Sequence, residues 1–362
     1  MKIDILKIFF RFYLNNKTMS TDKIDMSSVN NILVMSNTAI GDTLFATSSL
    51  RLIKECYPDK KINILLNPNN YKLFITNPYI DNFEFFNGKW HSFLGVLLKL
   101  RKIEIDVVLI MNGNEPQATP LAYFTGARYI IRVPNINNVF SHLHFNEPIA
   151  RNYKKHTIHT RLKQLEYIGI TDKNYDMELY PKPKWYEPIN KSLNKNYQYI
   201  GIQAGAATIS RMWFNKQWIL LANKILQHNR SIRIVLTGAP HEKELTKSIE
   251  KAVNNERIFN FAGKFDLCSA AALIGSLDLL ITPDTGPLHI AAALKVPTIA
   301  ISVAGYASSS NPIDQYVPHF FIQKPKTCTP CIDKRCKQQN CMLQITVEEV
   351  FEKTVDLLNI LK

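Results

Sequence analysis

Pro283-Asp284-Thr285-Gly286-Pro287-Leu288-His289, running on through Ile290 and three alanines to Leu294, decides how the rest of the chain is read. An apolar run at 277–281 precedes it and a second, at 296–301, follows. Strand, tight turn, helix, strand is a βαβ unit. Asp284 and Thr285 stand where the helix begins, and Gly286 allows close backbone approach. The first N–H groups of such a helix lack internal partners and carry partial positive charge. A phosphate-bearing ligand fits there. A well-capped structural helix satisfies the same pattern.

The surrounding chain sets the scale. Its 362 residues are enough for two domains with separate cores. Forty-four basic against 30 acidic residues give a net charge of +14. That surplus implies an anionic partner: nucleic acid, an acidic membrane surface or a phosphorylated ligand. No apolar run reaches the roughly 18 residues of a spanning helix. Four of the six cysteines, Cys328, Cys331, Cys336 and Cys341, crowd together. That is not the spread of a secreted disulfide framework, so the cytoplasm is the expected compartment. Tetrahedral zinc or plain thiols both fit their spacing.

Residues 1–30 read as an amphipathic extension and a polar linker. Asp4, Lys7 and Arg11 recur at helical spacing within an apolar stretch. The helix either lies in a membrane interface, docks on the protein, or is an upstream extension. Residues 31–182 read as one Rossmann-like domain with strand candidates at 31–36, 62–66, 83–86, 105–110 and 129–133. The turn after the first strand carries Gly41 and Asp42, and Asp42 either acts chemically or caps the next helix. The basic run at 151–163, with Arg151 and Arg161, is either a solvated face or a site for a phosphorylated acceptor. Residues 183–195 read as a linker, 196–345 as a second Rossmann-like domain, and 346–362 as a helix packing back on the first domain. In the second domain Thr208 and Arg211 follow one strand candidate and Glu242 another. Arg211 can clamp a diphosphate or sit at the surface; Glu242 can accept ribose hydroxyls or simply favour a helix start.

In order and spacing these motifs resemble glycosyltransferase family 9, the heptosyltransferases of lipopolysaccharide core assembly, from about residue 31 onward. The family's P-D-T-G-x-x-H segment matches 283–289, its G-D turn matches Gly41-Asp42, and its G-x-P-x-E segment matches 238–242. Its basic-x-Trp-Pro segment matches at Arg211 and Trp213, with Phe214 replacing the proline. The hydroxyl residues of the preceding loop give way to Ala206 and Ala207, with Thr208 next. The resemblance implies an α/β protein of the GT-B class, two doubly wound domains facing a central cleft. It implies inverting transfer from ADP-heptose to a phosphorylated, lipid-linked inner-core acceptor, on the cytoplasmic face of the inner membrane.

Asp42 is then the expected base and Arg211 the group that stabilises the leaving diphosphate. Thr208, Glu242, Asp284, Thr285, Gly286 and His289 bind the nucleotide sugar, and Arg151 and Arg161 the acceptor. No D-x-D pair stands at a strand end, so no metal is expected in catalysis, and no cofactor. No G-x-G-x-x-G, P-loop, H-E-x-x-H or G-x-S-x-G pattern occurs. Two other readings compete: a related transferase with another donor or acceptor, and a non-catalytic binder of sugar nucleotides. Nucleic acid is disfavoured because no aromatic-and-basic stripe of a known module is present.

Overall fold

The computed structural model describes residues 2–132, 138–145, 156–172, 174–303, 307–328, 336–338 and 340–361. The chain divides into two compact units, Met1–Met177 and Glu178–Lys362. Each is built on one parallel sheet, as expected of two Rossmann-like domains.

The first sheet contains β1 (Asn31–Ser36), β2 (Lys61–Leu66), β3 (Asn82–Phe85), β4 (Val107–Asn112) and β5 (Tyr129–Arg132), in the order β3-β2-β1-β4-β5. The second contains β6 (Gln198–Gln203), β7 (Ile232–Thr237), β8 (Ile258–Asn260), β9 (Leu279–Pro283), β10 (Thr298–Ser302) and β11 (His319–Gln323), in the order β11-β10-β9-β6-β7-β8. Near-continuous apolar runs form these strands because helices cover both faces; Ile32, Leu33, Val34 and Met35 of β1 are all fully buried. In both sheets the order reverses beside the first strand, between β1 and β4 and between β6 and β9. Ligands of doubly wound sheets bind at the carboxyl side of that switch point.

Three boundaries differ from the sequence expectation. The stretch 183–195 is no linker, because its first part is a helix, Pro183–Asn190, packed on the helix Leu267–Gly275. Proline is tolerated in a first helical turn, and Trp185 and Ile189 bury the apolar face. The unit boundary falls earlier, between Met177 and Glu178. The helix Val347–Ile360 falls within the second unit. Thr346 caps it by accepting from the Glu349 N–H, and Val350, Leu357 and Leu358 enter the core of the second unit beside the helix Asn215–His228. Strand β11 was absent from the sequence reading, since His319-Phe320-Phe321-Ile322-Gln323 is short and follows an irregular polar stretch.

The N-terminal extension is a helix, Lys2–Leu14, docked on the first unit. Phe10 and Leu14 are one turn apart and buried. Phe10 stacks on Trp90 at 5.6 Å between ring centroids and lies 5.5 Å from Phe93. His142 Nε2 lies 2.9 Å from the Leu14 carbonyl oxygen. Leu14→Ala should therefore cost about 2–5 kcal/mol of stability, whereas Phe12→Ala should stay within roughly 0.5 kcal/mol, because Phe12 is 86% exposed. Urea unfolding of the two variants checks the docking.

Candidate active site

In the second unit the carboxyl ends of β6, β7 and β9 carry the expected ligand-binding residues. Strand β9 ends at Pro283, and the helix Gly286–Ala293 starts three residues later with Thr285 as its N-cap residue. The Thr285 hydroxyl does not cap the helix; it turns back to the Pro283 carbonyl oxygen at 3.3 Å. The helix start thus takes no side-chain cap from this residue. Pro287 contributes no N–H and the Leu288 N–H donates to the Thr285 carbonyl oxygen at 3.1 Å, so Gly286 is the first-turn residue placed to offer its N–H to a ligand. A methyl placed on Gly286 would meet nothing within 4 Å. Neither a tight turn nor a close neighbour in the chain requires glycine here. Open access to the backbone at a positive helix end is what the residue provides.

Arg211 ends the short 3-10 turn Ile209–Arg211 in the loop after β6. Its Nη1 donates to the Asp284 carbonyl oxygen at 2.9 Å and lies 3.8 Å from Asp284 Oδ2. The same carboxylate has His289 Nε2 3.9 Å from Oδ1. Asp284 and His289 are both buried, while the Arg211 side chain stays one-quarter exposed. A guanidinium has five N–H donors, so the bond to Asp284 fixes its direction without using up its capacity. Thr208 lies in the same loop, with its hydroxyl 3.4 Å from that of Ser210. Trp213, part of the same sequence motif, is a core residue instead: it is buried edge-on to Trp218, with centroids 4.9 Å apart, and donates from Nε1 to the Ile345 carbonyl oxygen at 3.1 Å.

Glu242 is held in a defined pose at the end of β7. Its Oε2 accepts from the Ala239 N–H at 2.7 Å and from Gln203 Nε2 at 3.1 Å. Thr237 Oγ1 in turn donates to Gln203 Oε1 at 2.9 Å. Gly205 permits this arrangement, since a Cβ there would fall 1.7 Å from Glu242 Oε1. Gln203 was missed in the sequence. The available signal was a polar residue closing an apolar strand at the ligand-binding edge.

In the first unit Asp42 sits in the short helix Ile40–Leu44 after β1, with its side chain 36% exposed. It is not a helix cap: Ala39 and Ala46 occupy the N-cap positions of this helix and the next. Its Oδ2 accepts from Thr38 Oγ1 at 2.8 Å instead. Asn70, buried, donates to the Thr38 carbonyl oxygen at 3.1 Å and so steadies the turn from below. Arg161, expected toward the acceptor, is only 1% exposed. Its Nη1 donates to the Asp42 carbonyl oxygen, its Nη2 lies 3.9 Å from Asp42 Oδ1, and its guanidinium carbon is 5.5 Å from the centre of the Phe45 ring. It positions Asp42. Arg151 lies outside the described residues.

A second polar cluster follows β4. Arg132 pairs with Glu115 at 2.8 Å and donates to the Gly113 carbonyl oxygen at 2.8 Å. His144 lies beneath, its Nε2 3.0 Å from Thr119 Oγ1. Burial, with Arg132 nearby, depresses its pKa to about 3, so it stays neutral. Of the cysteines, Cys331 lies outside the described residues. Cys341 Sγ is 2.9 Å from Thr327 Oγ1, and that hydroxyl lowers the thiol pKa. Among the described residues no group of three or more His, Cys, Asp or Glu side chains is gathered to hold a metal.

Residues 98–342 match the family model described as glycosyltransferase family 9 (heptosyltransferase). The chain is 24% identical over 332 residues to the lipopolysaccharide core heptosyltransferase OpsX of Haemophilus influenzae, covering 88% of this chain and 94% of that protein. Among solved structures, a family 9 glycosyltransferase from Veillonella parvula superposes with a TM-score of 0.76 at 19% identity, over 94% of this chain and 99% of that one. The Escherichia coli ADP-heptose lipopolysaccharide heptosyltransferase II gives 0.71 at 19% identity, over 91% and 98%. These superpositions extend over both units and agree with the GT-B class.

Gly286→Ala separates a structural from a ligand-binding reason for the glycine. Alanine favours a helical position by up to about 1 kcal/mol, and the space is empty. The melting temperature should hold or rise slightly, while affinity for a nucleoside diphosphate, read by calorimetric titration, should fall about tenfold or more.

Proposed function

The chain belongs to glycosyltransferase family 9 and is a glycosyltransferase, and on that footing we propose that it moves a heptose from ADP-heptose to a lipopolysaccharide inner-core acceptor, with inversion and without a metal ion. The observation that carries this reading is the grouping of Arg211, Asp284 and the open helix start at Gly286 beside the β6–β9 switch point. It offers oriented positive charge where a sugar diphosphate would leave. The relatives named above as heptosyltransferases support heptose as the sugar and lipopolysaccharide as the acceptor.

The residues divide the work. Glu242, fixed by Gln203 and the Ala239 N–H, accepts from ribose hydroxyls. Arg211 and the N–H of Gly286 hold the diphosphate and gain strength as charge collects on its departing oxygen. Asp284 aims Arg211, and His289 backs Asp284. Asp42 takes the proton of the acceptor hydroxyl as that oxygen bonds to the anomeric carbon and the bond to the diphosphate breaks, releasing ADP. Thr38 and Arg161 hold Asp42 in place. Metal independence rests on these cationic groups and on the lack of a D-x-D pair. The acceptor is lipid-linked and phosphorylated, and the net charge of +14 suits work at the anionic cytoplasmic face of the inner membrane.

Asp42→Asn tests the base. Asp42 caps no helix, so the variant should stay folded, with any fall in melting temperature set by the loss of the 3.9 Å pairing with Arg161; it should keep ADP-heptose affinity yet lose transfer by at least about 10²-fold. Turnover within a few-fold of the parent, with a competent acceptor present, would discard the assignment. Transfer should also persist in excess chelator; activity that disappears and returns with magnesium or manganese would end the metal-independent reading.

A further inference from the structure

Among the described side chains of the docked helix Lys2–Leu14, one stripe, Phe10 and Leu14, is buried. On an ordinary surface helix the opposite side is polar. Here it is apolar: Ile8 is 67% exposed, Phe9 51%, Phe12 86% and Tyr13 44%. At 100° per residue Ile8 and Phe12 lie nearly opposite Phe10, with Phe9 and Tyr13 on the adjoining flank. Phe9 and Tyr13 stack on each other at 5.8 Å, so this face is ordered. Lys7 and Arg11, both exposed, form the other flank, and Lys17 Nζ sits 5.1 Å from the centre of the Tyr13 ring.

A second helix, Trp90–Arg101, lies against the first through the rings of Phe10, Trp90 and Phe93. It repeats the pattern. Phe93, Val96, Leu97 and Leu100 are buried, while Leu94 and Leu98, one turn apart, point to water at 64% and 55% exposure. Lys99, Arg101 and Lys102 follow on its exposed side, and residues 89–102 contain no acid. Asp4 is the one acid in residues 2–17. Exposed apolar groups on two touching helices, rimmed by cations, need a partner that is apolar inside and anionic outside. A second copy of the same patch fails on charge, because a two-fold contact would bring Lys7, Arg11 and Lys99 near their own equivalents.

We propose that the exposed faces of Lys2–Leu14 and Trp90–Arg101 form a platform that seats the protein on an anionic bilayer, Phe12, Ile8, Leu94 and Leu98 entering the interface while the lysines and arginines meet acidic headgroups. The platform takes its purpose, delivery to a lipid-linked acceptor, from the function proposed above. Its existence does not depend on which sugar is transferred.

The full chain is tested by sedimentation with vesicles of phosphatidylglycerol and phosphatidylethanolamine, and with phosphatidylcholine vesicles as the neutral control. The parent should bind the acidic vesicles and bind the neutral ones much more weakly. The double variant Phe12→Asp/Leu98→Asp changes only exposed positions, so its melting temperature should match the parent. Its partition onto acidic vesicles should fall at least about tenfold, with transfer to a detergent-solubilised acceptor retained and transfer to vesicle-embedded acceptor reduced. Equal sedimentation of variant and parent would overturn the platform. So would a parent that forms dimers, ignores vesicles and becomes monomeric on substitution. A protein inactive with every heptose donor that still binds acidic vesicles through these residues would keep the platform and remove the transfer reading instead.

Discussion

A parallel sheet covered by helices on both faces leaves its backbone open to a ligand mainly at the strand ends. That constraint places the chemistry of this protein. Asp42 follows β1, Arg211 follows β6, Glu242 follows β7 and Asp284 follows β9, each at a carboxyl end. Side chains at those ends must be held by short local contacts, because no sheet bond reaches them. Glu242 is held by Gln203 and a backbone N–H, Arg211 by the Asp284 carbonyl oxygen, and Asp42 by Thr38 and Arg161.

The last of these is energetically the most demanding. Removing a guanidinium from water costs several kcal/mol unless its donors are met. Arg161 is almost wholly buried, and the Asp42 carbonyl oxygen, the Asp42 carboxylate and the Phe45 ring surround it. Such a charge is a poor way to gain stability, since a packed apolar side chain would serve as well or better. It does tie the turn to one conformation, because another would break the contacts that Arg161 makes with Asp42. The investment makes sense where the position of a carboxylate matters more than the depth of the fold.

Local pattern made much of this visible in advance. The β9 turn and helix, the Gly41-Asp42 turn and most strands follow from apolar periodicity and turn residues, which depend on near neighbours. What escaped depended on distant ones. Arg161 sits in a run of basic residues that reads as solvated, and its bond to Asp42, 119 positions away, lies beyond any local pattern. Gln203 acquires its role from Glu242 and Thr237, 39 and 34 residues on. The stretch 183–190 carries prolines, which read as a break, yet its burial against Leu267–Gly275 makes it a helix. The final helix is amphipathic whichever unit it covers, so its sequence could not choose between them.

The bond from Trp213 to the Ile345 carbonyl oxygen spans 132 residues. It fastens the loop that carries Arg211 to a segment synthesised much later. At elongation rates of about 5–20 residues per second, roughly seven to twenty-six seconds separate the two partners at the ribosome. The first unit, with its N-terminal helix already seated, is complete in sequence well before the loop after β6 can close. Vectorial synthesis therefore gives this polypeptide a built-in schedule, in which a nascent chain has its first unit in hand early and can close the loop after β6 only late.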